Sequence, residues 1–141
     1  MKSHESDWGE CVRNADTRIG SADPAKARAL IAVARARILF LERCPKEPAD
    51  LIFRLENNYA STLETLHAVC LLHGAHVSHH LCLGFFLCDV LKRPDLFQLF
   101  DTNRQRHNDL VYYGNTGDPD IAKIGIEELA RLRTTLAQAM A

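Results

Sequence analysis

Between Asn103 and Gly114 the chain reads Asn-Arg-Gln-Arg-His-Asn-Asp-Leu-Val-Tyr-Tyr-Gly, its densest run of side chains able to hold a phosphate or move a proton. Arg104 and Arg106 stay charged at any working pH, and a guanidinium fork fits two phosphate oxygens at once. Asn108 offers donor and acceptor, Asp109 a carboxylate, and Tyr112 and Tyr113 rings on which a base stacks. His107 is the residue of the segment that titrates near neutral pH, which makes it the candidate catalytic base. It follows Arg104 by three residues, so a helix would present both on neighbouring parts of one face. The predicted ligand-binding residues are thus Arg104, Arg106, Asn108, Asp109, Tyr112 and Tyr113. A plainer arrangement also fits: Arg104 and Arg106 paired with Asp101 and Asp109, and the tyrosines packed.

A second group of chemically able residues lies earlier. Five of the seven histidines fall between His67 and His80, with Cys70, Cys82 and Cys88 nearby. His76 and His80 are four apart, and His67, Cys70 and His73 share a helical face, spacings that zinc accepts. These sets straddle Gly74, where a turn is expected, and neither an HExxH run nor paired Glu-x-x-His helices are present. Cys70 falls on an apolar stripe, where a thiol commonly serves as a small hydrophobe. The sequence therefore predicts histidines used for packing and interhelix hydrogen bonds, with no metal and no cofactor. No phosphate-cradling glycine loop and no GxSxG occur.

Helices must position these residues. Apolar residues recur at three- and four-residue spacing throughout, and no segment alternates apolar and polar with Val, Ile and Thr, so no sheet is expected. The spacing predicts a first helix over Glu5 to Ile19, with Trp8, Cys11, Val12, Ala15 and Ile19 on one face. Asp23-Pro24 opens a second, with Asp23 as N-cap, and Cys44-Pro45 stops it. A third begins near Pro48 and ends at Gly74. A fourth covers Ser78 to Lys92, a fifth opens at Pro94 with Leu96, Leu99 and Phe100 inward, and a last runs from Asp120 to Met140 along Ile121, Ile124, Leu129, Leu132 and Leu136. Five or six helices on short loops read as an all-α, antiparallel up-down bundle.

Composition agrees with one such unit. The chain has 141 residues, 47% hydrophobic and 25% charged, so a single domain, 1–141, is expected rather than disorder. A net charge of −1 excludes a globally basic nucleic-acid binder but leaves room for a local patch. Residues 24–46 carry six basic groups against Glu42, and residues 47–91 carry five acidic groups against Arg54, so the first of these helices either meets an anion or balances its neighbour. Five cysteines without a CxxC pair argue against a secreted disulfide scaffold. With no apolar leader and no run long enough to span a bilayer, the expected setting is cytoplasmic, away from membranes.

From Pro48 to Leu136 the order of motifs resembles the HEPN domains (higher eukaryotes and prokaryotes nucleotide-binding). The likeness rests on Asn58-Tyr59-Ala60-Ser61, then Leu63-x-x-Leu66-x-Ala68, Leu71-Leu72 and Gly74, a following Ser78-His79-His80, and the Arg-rich turn from Arg104 to Tyr113. The resemblance implies an all-α bundle, a homodimer, and an RNase, a toxin or the partner of a nucleotidyltransferase. Nuclease members carry a histidine separated from an arginine by four to six residues. Here those positions hold Val111, Tyr112 and Tyr113 after Arg106, and Asp109, Leu110 and Val111 after Arg104. Tyr112 would be a poor base, with a pKa near ~10.

The resulting expectation is a HEPN-like protein that binds nucleotide or RNA, or partners a nucleotidyltransferase, without nuclease activity. One alternative is a metal-independent RNase using Arg104 and His107. The other is a non-catalytic helical interaction module.

Overall fold

The computed structural model describes residues 5–14, 16–113 and 118–140, and for 111–113 the backbone alone. It is an all-α helical bundle of four long helices, with two short helices and a two-stranded ribbon at one end. Helix α3 (Leu51–Leu72) is the central rod, packed against α2 (Pro24–Arg43), α5 (Pro94–Tyr113) and α6 (Pro119–Ala139). It is buried nearly all round, which is why its polar residues bond to backbone. Ser61 Oγ donates to Ala34 O at 2.9 Å, Thr62 Oγ1 to Asn58 O at 2.9 Å and Leu129 O at 3.2 Å, and Thr65 Oγ1 to Ser61 O at 2.9 Å. The small buried residues Ala27, Ala34, Ser61 and Ala68 let α2 and α3 lie close.

Helix starts follow their sequence signals. Asp23 accepts from Lys26 N at 3.1 Å with Pro24 in the first turn, and Asp118 accepts from Asp120 N at 2.9 Å with Pro119 likewise placed. Cys44 ends α2, as its Pro45 neighbour requires.

Three expectations need correction. The first helix, α1 (Trp8–Arg13), is only six residues long, and the Thr17–Ile19 segment is not helical. It is strand β1, paired antiparallel with β2 (Ala75–Val77), Thr17 opposite Val77 and Ile19 opposite Ala75. A small sheet therefore exists where none was expected, because three-residue strands are too short to show alternation. Gly74 makes it possible: its φ is +76°, and a Cβ there would lie 2.2 Å from Gly20 O. The predicted single helix from Ser78 to Lys92 is instead α4 (His80–Phe85) widening into a π-turn over Phe86–Val90, closed by Leu91 N donating to Phe86 O at 3.1 Å. On α6, Leu129, Leu132 and Leu136 are buried as expected, but Ile121 and Ile124 are exposed.

The core gathers Leu55, Tyr59, Leu66, Val69, Leu83, Phe86, Leu87, Phe100 and the three α6 leucines. A Cys11–Cys82 disulfide, which the cysteine spacing did not signal, ties α1 to α4, and Cys44, Cys70 and Cys88 are free. Among the described residues, no helix is long and apolar enough to cross a membrane.

Candidate functional site

The C-terminal half of α5 carries every residue singled out as a ligand or catalytic group, but the fold sends them to different places. Arg106 turns inward to α6. Its Nη1 donates to Asn103 Oδ1 at 3.0 Å and to Glu128 Oε1, while Asn103 Nδ2 donates to Leu99 O at 2.8 Å and Glu128 Oε1 at 3.2 Å. Asn103 is 2% exposed, so this is an internal polar network that joins the two helices. Gly125 permits it: a Cβ there would come 2.9 Å from Leu55 Cδ1 and 3.3 Å from Asn103 Oδ1. Arg106 is thus a helix-joining group, and its expected partner Asp109 is exposed instead.

Arg104 points elsewhere. Its Nε and Nη2 both donate to Asp101 Oδ1, at 2.9 and 2.8 Å, the pairing expected from sequence. Its charge also acts on the imidazole of His80, at the start of α4.

His107 stacks on Tyr59 of α3, ring centroids 4.2 Å apart and planes 15° from parallel. Tyr59 in turn meets His80 edge-on at 6.1 Å, its hydroxyl 3.4 Å from His80 Nδ1, and stacks more distantly on Phe100. Two imidazoles from two helices therefore flank one buried phenol. Both are held below the ordinary histidine pKa. For His107 the main cause is desolvation, opposed by the Glu56 carboxylate and the Asn108 side chain. For His80 desolvation leads again, followed by the charges of His107, His79 and Arg104, although the outer part of the residue is exposed. The Nδ1 of His107 is buried and has no hydrogen-bond partner among the described residues.

Of the predicted residues, then, Arg104, His107 and Asn108 share one locality, with Tyr59 and His80 added to it. The side chains of Tyr112 and Tyr113 lie outside the described residues. The four-residue spacing of His76 and His80 would put both on one face only if a single helix carried them. In fact His76 is in β2, and His80 opens α4 facing α5. Tyr59 is 48 positions from His107 and Glu128 is 22 from Arg106. No local spacing signals either partner.

Two more histidines of the cluster, His73 and His67, are taken up in the helix packing. His73 Nδ1 lies 3.0 Å from Val69 O and its ring meets the edge of Phe86. His67 is half-buried, its pKa lowered by desolvation and then by His80 and Lys26. Burial pushes the Cys70 thiol far up, leaving it an inert core group.

Arranged this way, the locality offers a cation paired with a carboxylate, two imidazoles whose protonation burial disfavours and an aromatic ring between them. Comparison with family models, with curated proteins and with solved structures returns no match to the chain.

Proposed function

We propose that this is a HEPN-like helical protein that binds RNA or nucleotide at the locality of Arg104, His107, Asn108 and His80. The observation that carries the reading is the pair of imidazoles flanking Tyr59, with the Arg104 charge reaching one of them. A phosphate suits the guanidinium and a protonated imidazole, and Asn108 is placed to read a polar base edge. Arg104 has a role in binding that Arg106, joined to Glu128, does not share. The same reading carries a homodimer and a nucleotidyltransferase partner. Val33, Leu39, Phe40 and Phe53 are each about half exposed and supply apolar area for such contacts.

Fluorescence anisotropy with a labelled single-stranded RNA at low salt tests the binding. Arg104→Ala should weaken it, and the loss should shrink as salt rises. If that variant binds as the wild type does, the ligand site is lost and the interaction-module reading stands in its place. Light scattering at micromolar concentration tests the dimer, and a mass near 16 kDa would count against it.

A second reading, metal-independent RNA cleavage, is favoured by one specific observation: His80 and His107 each disfavour protonation, and His107 acts on His80. One imidazole, when neutral, serves as base, and the other, when protonated, as acid. His107 would take the 2′-hydroxyl proton as that oxygen attacks phosphorus. His80 would protonate the departing 5′-oxygen, and a 2′,3′-cyclic phosphate would result. Cleavage in the presence of a chelator, abolished by His107→Ala and by His80→Ala, would make this the better account.

A further inference from the structure

Beside the start of α4 lies a cluster that the proposed site does not use. Glu5, His79 and Cys82 each present one ligand atom, and these atoms lie within 4.8 Å of one another. Cys82 Sγ is bonded to Cys11 Sγ, so a second sulfur lies next to the cluster. Three further observations concern what fills this place. His79 Nδ1 is buried and has no hydrogen-bond partner among the described residues. Glu5 is only 5% exposed, an unusual place for a carboxylate. The side chain of Asp16 hydrogen-bonds Glu5, which brings a second carboxyl group beside the first.

The scaffold around the cluster is built to hold it. Ser78, next to His79, donates from both N and Oγ to Asp16 O, at 2.9 and 2.8 Å. The ribbon of β1 and β2 thus latches the N-terminal segment against the start of α4. On the other flank Trp8 N donates to Asp89 Oδ2 at 2.9 Å. Groups from two segments far apart in sequence, the N-terminal stretch and the start of α4, are brought together and braced.

We propose that Cys11, Cys82, His79 and Glu5 form a zinc site when the two cysteines are reduced, so that this end of the fold is closed by a metal in reducing surroundings and by a disulfide in oxidising ones. Two thiolates, an imidazole nitrogen and a carboxylate oxygen are a tetrahedral zinc ligand set, and the sulfur donors favour zinc over magnesium or calcium. Bonds of about 2.0–2.3 Å put tetrahedral ligand atoms about 3.3–3.8 Å apart, so the Glu5, His79 and Cys82 atoms would contract modestly while the two sulfurs, freed from their bond, would move apart. The conversion balances with a thiol reductant of the glutathione class. The protein disulfide takes two electrons and two protons from two small thiols, giving two cysteine thiols and one small-molecule disulfide. Zinc then binds both sulfurs as thiolates, and their two protons leave to solvent.

The test uses the whole chain. Protein reduced with a phosphine and desalted without oxygen is titrated with Co2+, then with Zn2+. The reduced chain should take up one Co2+, with thiolate-to-cobalt charge transfer and the visible bands of a tetrahedral ion, and Zn2+ should displace it. The oxidised chain should show neither band. His79→Gln keeps both cysteines and the fold, and should weaken binding about tenfold or more. Cys88→Ser, outside the cluster, should leave it unchanged. A reduced chain that takes up no stoichiometric Co2+, or a His79→Gln variant that binds it as well as wild type, would overturn the proposal. So would a charge-transfer band that survives Cys82→Ser and disappears in Cys88→Ser.

Discussion

The imidazole of His107 lies face to face with the phenol of Tyr59, centroids 4.2 Å apart and planes 15° from parallel. The contact joins α5 to α3 at the point where α4 begins, and it orders the candidate site. Tyr59 is itself 2% exposed, so it is both the floor of that site and part of the core. A substitution there tests packing and chemistry together, and the two can be separated.

Tyr59→Ala should destabilise the protein by about 3–5 kcal/mol, since it removes a fully buried ring and three aromatic contacts. Tyr59→Phe keeps the rings stacked and loses only the hydroxyl, at a cost of about 0.5–1.5 kcal/mol. Urea unfolding of both variants gives the comparison. Equal losses would mean that the hydroxyl, rather than the ring, carries the stabilisation.

The burial of His107 makes stability depend on pH. In the unfolded chain it protonates near 6.5, and in the fold only below that value, because desolvation outweighs the pull of Glu56 and Asn108. Between the two values the unfolded state binds more protons. Stability is therefore highest above 6.5, declines as pH falls through the window beneath it, and stops declining on this account once the folded-state value is passed. His67, also shifted down, acts in the same direction. A proton NMR titration should place His107 below 6.5, and His107→Gln should flatten part of the decline. A His107 midpoint at or above 6.5 would contradict the burial argument.

What could be read from the sequence follows the range of the forces involved. Helix starts at Asp23-Pro24 and Asp118-Pro119, and the stop at Cys44-Pro45, depend on neighbours within a few residues, and they stand where those neighbours put them. The pairing of Thr17 with Val77 is a contact across 60 positions, and three-residue strands leave no local pattern. The same holds at the site. Arg104 and Asp101 are one helical turn apart, so their pair was predictable, whereas Arg106 chooses Glu128 over the near Asp109 because α6 closes on α5 at Gly125. The Cys11–Cys82 link joins two segments 71 positions apart, and cysteine spacing could not announce it.

That close approach at Gly125 can be measured. Alanine is the better helix former by about 1 kcal/mol, so on an open surface Gly125→Ala would stabilise. Here the added methyl would stand 2.9 Å from Leu55 Cδ1 and 3.3 Å from Asn103 Oδ1. Overpacking of this kind costs about 1–3 kcal/mol, enough to cancel or reverse the helix gain. Thermal melting should show a lower midpoint for the variant. A higher midpoint would mean that α6 moves outward freely, and that the Asn103–Arg106–Glu128 network tolerates a wider gap.

The two arginines of the α5 segment provide a double contrast. Arg106 Nη1 serves both Asn103 and Glu128, and the Arg106 and Glu128 side chains are 24% and 21% exposed. Arg106→Ala leaves a half-buried carboxylate and a buried amide short of a donor, which should cost about 1–3 kcal/mol of stability. Arg104 pairs with Asp101 one turn away on the same helix. That pair is as buried as the other, but it lies within one helix and its loss strands no buried amide, so Arg104→Ala should cost at most about 1 kcal/mol. Binding should rank the other way. Removing Arg104 takes away the cation beside His80, and affinity for RNA at low salt should drop. Removing Arg106 should affect binding only through the fold, so the loss should vanish under conditions where the variant is fully folded. Urea unfolding and anisotropy on the same two proteins give four numbers. A variant pair in which the larger stability loss and the larger affinity loss both fall on Arg106 would show that α5 offers no ligand a guanidinium at Arg104.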